Sequence, residues 1–75
     1  MALELITRQG CHLCEAALTT LRGLGLEPVL RDVDQDEDED LFLLYDWRVP
    51  VLLQDGRILC EGKIDSDCVL RALNS

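Results

Sequence analysis

Residues 8–14, Arg-Gln-Gly-Cys-His-Leu-Cys, join an apolar run that closes at Thr7 to a run with helical spacing that opens at Cys14. Two cysteines with two residues between them fall within one helical turn, at the junction of a strand-like and a helix-like segment. Such a pair is a redox couple, half of a metal site, or two neighbouring core residues, and each choice demands different surroundings. The 75 residues hold a single domain, 1–75, with one modest core, so the chemistry of the pair must fit one compact site.

The surroundings are read from hydrophobic period. Residues 2–7 form a first strand, bounded by the turn-like Arg8-Gln9-Gly10. Cys14, Ala17, Leu18, Leu21 and Leu24 recur at three- and four-residue spacing, with Glu15, Thr19, Thr20 and Arg22 on the other side. This predicts an amphipathic helix, which Gly23 and Gly25 are both placed to stop. Residues 27–33 are expected to form a second strand, and Pro28, Arg31 and Asp32 suit it to a sheet edge. In "DVDQDEDEDLFLLYDW" the carboxylates gather ahead of Leu41, Leu44 and Tyr45. That pattern predicts a short second helix with negative charge at its N-terminus, where the helix dipole favours it. Apolar runs at 51–53 and 58–60 flank Gln54-Asp55-Gly56-Arg57, and Asp-Gly in that setting signals a hairpin. Asp65 and Ser66 are N-cap candidates for a closing helix bearing Val69, Leu70, Ala72 and Leu73. The order βαβαββα predicts an α/β fold, a mixed four-stranded sheet covered by helices.

Composition removes several classes of partner. A hydrophobic fraction of 48% with 29% charged residues is ordinary for a globular protein, and no apolar run reaches the length of a bilayer span. The start, Met1-Ala2-Leu3-Glu4-Leu5, lacks a basic leader and a long apolar segment, so a cytoplasmic location is expected. A net charge of −8 opposes binding to nucleic acid phosphates and to anionic membranes. The four cysteines are expected as reduced or cycling thiols, because a disulfide framework belongs to a secretory setting.

In that setting Cys-x-x-Cys beside a strand-helix unit reads as a redox motif. Cys11 falls at the N-terminus of the first helix, where unpaired backbone N–H groups and the positive dipole end favour thiolate over thiol. A free thiol with a pKa of about 8.5 is brought by such surroundings into a range of roughly 3.5 to 7.5. Cys11 is therefore the expected nucleophile and Cys14, one turn further in, the resolving thiol. Arg8 and His12 are candidates to support the thiolate, while Glu15 opposes it.

Motif and order together resemble the glutaredoxin branch of the thioredoxin superfamily, specifically its short glutaredoxin-like proteins, over nearly the whole chain. "TRQGCHLC" is similar to that family's active-site approach, with Arg8 where glutaredoxins usually have lysine. "RVPVLL" resembles its Val-Pro segment, which implies a cis Pro50 and a Val49 backbone that pairs with a substrate strand. "EGKID" resembles a remnant of the Gly-Gly-x-Asp segment that helps hold glutathione, which implies substrate-binding roles for Gly62 and Asp65. The resemblance implies a thioredoxin-like fold of glutaredoxin type and a thiol-disulfide oxidoreductase that reduces protein disulfides or glutathione mixed disulfides. It also implies no tightly bound cofactor, with glutathione as a candidate co-substrate. His12 replaces the usual proline, Leu13 an aromatic and Glu61 the first glycine. An anionic tripeptide needs a basic patch, for which Arg8, Arg48 and Lys63 are the candidates.

Other readings attach to the remaining residues. Zinc would need Cys60 and Cys68 as the second ligand pair, but seven residues separate them where zinc ribbons show two; they are expected as buried or half-buried small apolar residues, with a regulatory thiol at Cys68 as the alternative. The D-x-D-x-D run from Asp32 fails as a calcium loop, with Glu37 in the glycine position and Leu43 in place of the bidentate glutamate. It is expected as a solvated helix start, with the docking of a basic partner there as the lesser alternative. Phe42, Tyr45 and Trp47 are expected in the core, with Trp47 a candidate to line a substrate groove. The rival to catalysis is a binding or redox-sensing module on the same fold.

Overall fold

A computed structural model of the protein describes residues 3–74, so Ala2 of the first predicted strand lies outside the described residues. Seven elements follow in the expected order: β1 (Leu3–Thr7), α1 (His12–Gly23), β2 (Val29–Asp32), α2 (Glu39–Tyr45), β3 (Val51–Gln54), β4 (Arg57–Glu61) and α3 (Ser66–Leu73). The sheet order is β2-β1-β3-β4. β1 runs parallel to β2 and antiparallel to β3, and β3 runs antiparallel to β4. This is the mixed sheet that the element order implied, in the thioredoxin-like arrangement that the resemblance implied.

The two central strands are apolar on both faces because helices cover both. Leu5 and Leu52 face a core shared with Ala17 and Leu21 of α1 and Val69 of α3. Their neighbours Ile6, Val51 and Leu53 face the opposite core with Val33 and Leu41 of α2. Strand alternation therefore divides the side chains between two cores, and Leu5, Ile6, Val51, Leu52, Leu53, Leu41 and the loop residue Val33 are all buried. β2 is one of the two outer strands, and both Val29 and Leu30 are exposed there. It starts at Val29, two residues later than expected, immediately after Pro28, which has no backbone N–H to give to a ladder.

The ends of α1 show which local signals set the boundaries. Only Gly25 stops the helix, with φ 80°, while Gly23 is its last helical residue. The N–H of Gly25 donates to Arg22 at 3.0 Å and that of Leu26 to Leu21 at 2.9 Å. This is the Schellman closure, and Leu26 packs with Leu21 into the same core. The Asp55-Gly56 turn takes φ values of 51° and 84°, which match the left-handed turn that suits a two-residue hairpin.

The acidic run from Asp34 to Asp40 is exposed apart from half-buried Asp36, the solvated helix start expected of it, and its own carboxylates brace the backbone. Asp32, Asp36 and Asp38 each accept the N–H two residues on, at 2.8 to 3.0 Å. Carboxylates thus take up backbone donors through the β2–α2 loop, and Asp38 is the N-cap of α2. α2 seats Leu41 but leaves Phe42, Leu43 and Leu44 exposed. Of the aromatics expected in the core, Tyr45 packs against it, whereas Phe42 is partly and Trp47 almost fully exposed, at 89%.

Because Ile6 pairs with Val51 and Val51 with Glu61, the exit of β1, the entry of β3 and the exit of β4 share one end of the sheet. The three segments that carried the sequence motifs leave the sheet there.

Candidate active site

Gly10, with φ 75°, turns the chain out of the sheet and into Cys11. Cys11 is the N-cap of α1, with extended φ −95° and ψ 106°. Its Sγ accepts the Cys14 N–H at 3.1 Å, and its carbonyl accepts the Glu15 N–H at 3.1 Å. Sulfur here takes the position in which a serine or aspartate oxygen usually satisfies an unpaired helix donor. Cys11 and Cys14 form a disulfide with a Cα–Cα distance of 5.2 Å. Cys11 is half-buried while Cys14 is buried at 4% exposure, so Cys11 is the more accessible member of the pair.

Pro50 is fully buried, and the Val49–Pro50 bond is cis. The Pro50 carbonyl accepts the Gly62 N–H at 2.8 Å, with Gly62 at φ 73°, which ties the Val-Pro segment to the "EGKID" segment. Val49 packs half-buried against the α2 core. Asp65 is exposed and caps α3, accepting the Cys68 N–H at 2.8 Å.

The basic candidates are engaged by neighbours. Arg8 donates from Nε and Nη2 to the Asp34 carboxylate at 2.8 and 2.9 Å and from Nη1 to the Asp46 carbonyl at 2.8 Å. It also pairs with the Asp46 carboxylate, and its guanidinium lies 6.0 Å from the Phe42 ring centre. Arg8 therefore clamps the exit of β1 to the β2–α2 loop and the end of α2. Arg48 pairs with Glu61 at 2.8 Å and lies 5.6 Å from the Tyr45 ring centre. Lys63 is exposed and has no ion pair among the described residues. His12 is 99% exposed and its ion-pair partner is Glu15 at 3.9 Å, so it points along the helix surface.

The structure corrects one expectation outright. Cys60 and Cys68 are joined as a second disulfide, Cα–Cα 6.4 Å, which fastens β4 to α3. Cys60 is buried at 4%, as expected, but bonded; no thiol among the described residues is free. The spacing that argued against a zinc ribbon is compatible with a strand-to-helix crosslink, and nothing in local period pointed to it. The Glu61 partner of Arg48 also went unread, although a carboxylate replacing the usual glycine beside an arginine was the available signal.

The ion pairs set an acid response. Bonds to Arg8 and to Arg31 hold Asp34 and Asp36 below the usual carboxylate range, and Arg48 does the same for Glu61. Carboxyls depressed in the folded state contribute stability that is present above their unfolded values, about 4, and lost as pH falls through the folded ones. Urea unfolding is expected to be flat near neutrality and to weaken below about pH 4. Arg8→Gln lowers the neutral plateau and makes the acid decline shallower, since Asp34 then titrates alike folded and unfolded. A decline as steep as wild type would show that the Arg8 pairs contribute nothing.

Comparison with known proteins follows the geometry. The family model described as Glutaredoxin-like domain (DUF836) matches residues 2–74. The X-ray structure of a structural-genomics target protein, XcR50 from X. campestris, is 31% identical, with 97% of this chain and 96% of that one covered and a TM-score of 0.75. The thioredoxin-like protein BC3987 is 22% identical, covers 93% and 97% of the two chains, and has a TM-score of 0.74. A buckwheat glutaredoxin, crystallised as a glutathione complex, is 20% identical over 96% of this chain and 67% of its own, with a TM-score of 0.66. The last two share the fold. No curated protein matches the sequence.

Proposed function

The chain belongs to the glutaredoxin-like domain family, and on that premise we propose that it is a thiol-disulfide oxidoreductase in which Cys11 attacks and Cys14 resolves. Fold and Cys-x-x-Cys pair together support a thiol redox function. The observation that carries the finer reading is the hydrogen bond from the Cys14 N–H to Cys11 Sγ at the start of α1. In the reduced protein that donor and the helix dipole stabilise a Cys11 thiolate.

The cycle begins when the Cys11 thiolate attacks one sulfur of a substrate disulfide. The substrate S–S bond breaks, its other sulfur leaves as a thiolate and takes a proton, and a mixed disulfide remains on Cys11. Cys14, deprotonated, then attacks Cys11 Sγ, which closes the Cys11–Cys14 disulfide and releases the second substrate thiol. Two electrons and two protons reach the substrate, and an external thiol reductant returns them. Glutathione is a candidate for that reductant, in a cytoplasmic setting where thiol reductants are maintained. Val49 beside Pro50 is proposed to present its backbone to the substrate, with Gly62 supporting Pro50 from behind.

The test is equilibrium titration against a glutathione redox buffer with mass mapping of each cysteine. A reversible disulfide between Cys11 and Cys14, with transient glutathione on Cys11, is the expected result. If that pair stays inert across the buffer range, or opens no more readily than Cys60–Cys68, the oxidoreductase reading fails.

A further inference from the structure

Beside the candidate active site the surface changes character. Between the β2–α2 loop and α2 lies a hollow of about 320 Å³, with Val33, Phe42 and Leu43 as its apolar walls and Asp34, Asp36 and Glu39 on its rim. Leu43 is 73% exposed, and Leu44 and Trp47 are also exposed further along the chain, Trp47 three residues before Pro50. The hollow is tied to the redox end through Arg8, which bonds Asp34 on the rim, approaches Phe42 in the wall, and stands three residues before Cys11.

Charge at this face is one-sided. From residue 34 to 40 only Gln35 is not a carboxylate. Arg8 and Arg31 compensate Asp34, Asp36 and Asp38, and Glu37, Glu39 and Asp40 have no ion pair among the described residues. Of the three basic candidates, Arg8 is neutralised by Asp34 and Asp46 and Arg48 by Glu61, which leaves Lys63. An anionic tripeptide finds Arg8 and Arg48 already paired, whereas a cationic ligand finds Glu39 without an ion pair on the rim of an apolar hollow, with Glu37 and Asp40 close to it along the chain.

We propose that the hollow between the β2–α2 loop and α2 docks a basic segment of a polypeptide substrate, so that the Cys11 site prefers disulfides flanked by lysine or arginine over glutathione. The proposal rests on the oxidoreductase reading and names its substrate class. An apolar side chain of the segment covers Phe42 and Leu43, and its cations reach Glu37, Glu39 and Asp40. Long-range attraction toward a chain of net charge −8 raises the encounter rate, and the rim carboxylates set the orientation.

The experiment uses two synthetic peptide disulfides that share one leucine and differ only in flanking lysine or glutamate, with oxidised glutathione as a third substrate. At an ionic strength of about 0.01 M, where screening reaches about 30 Å, kcat/KM for the lysine peptide is expected to exceed both others by at least about tenfold. Near about 1 M, with screening at about 3 Å, the advantage shrinks toward parity. In the Glu37→Gln/Glu39→Gln/Asp40→Asn protein the lysine-to-glutamate ratio falls toward one, and Leu43→Asn weakens the lysine peptide without altering its salt dependence. A lysine peptide with serine in place of its cysteines is titrated against the fluorescence of Trp47, the only tryptophan, to read docking without chemistry. Equal rates for both peptides, with no fluorescence change, overturn the docking surface and leave the oxidoreductase standing. Exchange with no substrate, alongside saturable fluorescence change, overturns the oxidoreductase and upholds the docking surface.

Discussion

Cys11→Ser is expected to reduce disulfide exchange to the uncatalysed background, because a serine hydroxyl supplies no thiolate at neutral pH and no sulfur to carry the mixed disulfide. Cys14→Ser has a different signature. Cys14 is buried behind Cys11, so its loss leaves the first attack intact and removes the step that releases the second thiol. The mixed disulfide then accumulates on Cys11 and appears as an intact-mass increase equal to one substrate thiol. Both outcomes are read by incubating each variant with a peptide disulfide and following thiol release and mass. A Cys11→Ser protein that exchanges at the wild-type rate would place the nucleophile elsewhere; one that has lost exchange but still binds the peptide would keep docking and chemistry apart. A Cys14→Ser protein with no trapped adduct would remove Cys14 from the resolving role.

Removing the Cys60–Cys68 crosslink is expected to cost stability rather than exchange. For a sequence separation of 8, the chain-entropy relation assigns the bond about 2.5 kcal/mol. In a domain of 60 to 100 residues each kcal/mol moves Tm by about 4–8 °C, so Cys60→Ala/Cys68→Ala should unfold about 10–20 °C lower. The effect is concentrated on α3. That helix has one buried residue, Val69, and the crosslink ties its first turn to β4. Adding reductant to the Cys11→Ser/Cys14→Ser protein should produce the same fall in Tm, since only the second pair can then respond. Thermal unfolding with and without reductant separates the cases: a shift of a degree or two would mean that packing alone holds α3. Exchange by the Cys60→Ala/Cys68→Ala protein, measured below its lowered Tm, is expected to match wild type, because the attacking and resolving sulfurs remain in place.

Much of this architecture was legible because its signals are local. The spacing of Cys14, Ala17 and Leu21 marks one face of a helix whatever it packs against. Asp55-Gly56 prescribes a turn, and Asp65 offers an oxygen to the Cys68 N–H only three residues away. The N-cap position of Cys11 follows from the same reach, as its sulfur meets the Cys14 N–H within one turn. Where two local signals competed, the sequence left both standing: Gly23 and Gly25 are equally free to take a positive φ, and the contact of Leu26 with the core chose Gly25.

Arg8 shows where that kind of reading ends. Its residue type and distance from Cys11 suggested a cation offered to a substrate, yet its partners are Asp34 and Asp46, at sequence separations of 26 and 38. Trp47 and Phe42 carry the size and apolarity of core residues, and the short α2 has only one face to bury, which Leu41 and Tyr45 occupy. Cys60 meets Cys68 because the pairing of β3 with β4 shifts register between Leu52 and Leu53 and α3 returns across β4. The sequence by itself determined the order of elements, their caps and turns, and the redox-type cysteine pair, since each depends on contacts within a few residues. Only the tertiary structure decided which charges neutralise each other, which cysteines bond second and which apolar side chains face water, because those depend on the groups that sheet order and helix docking bring within reach.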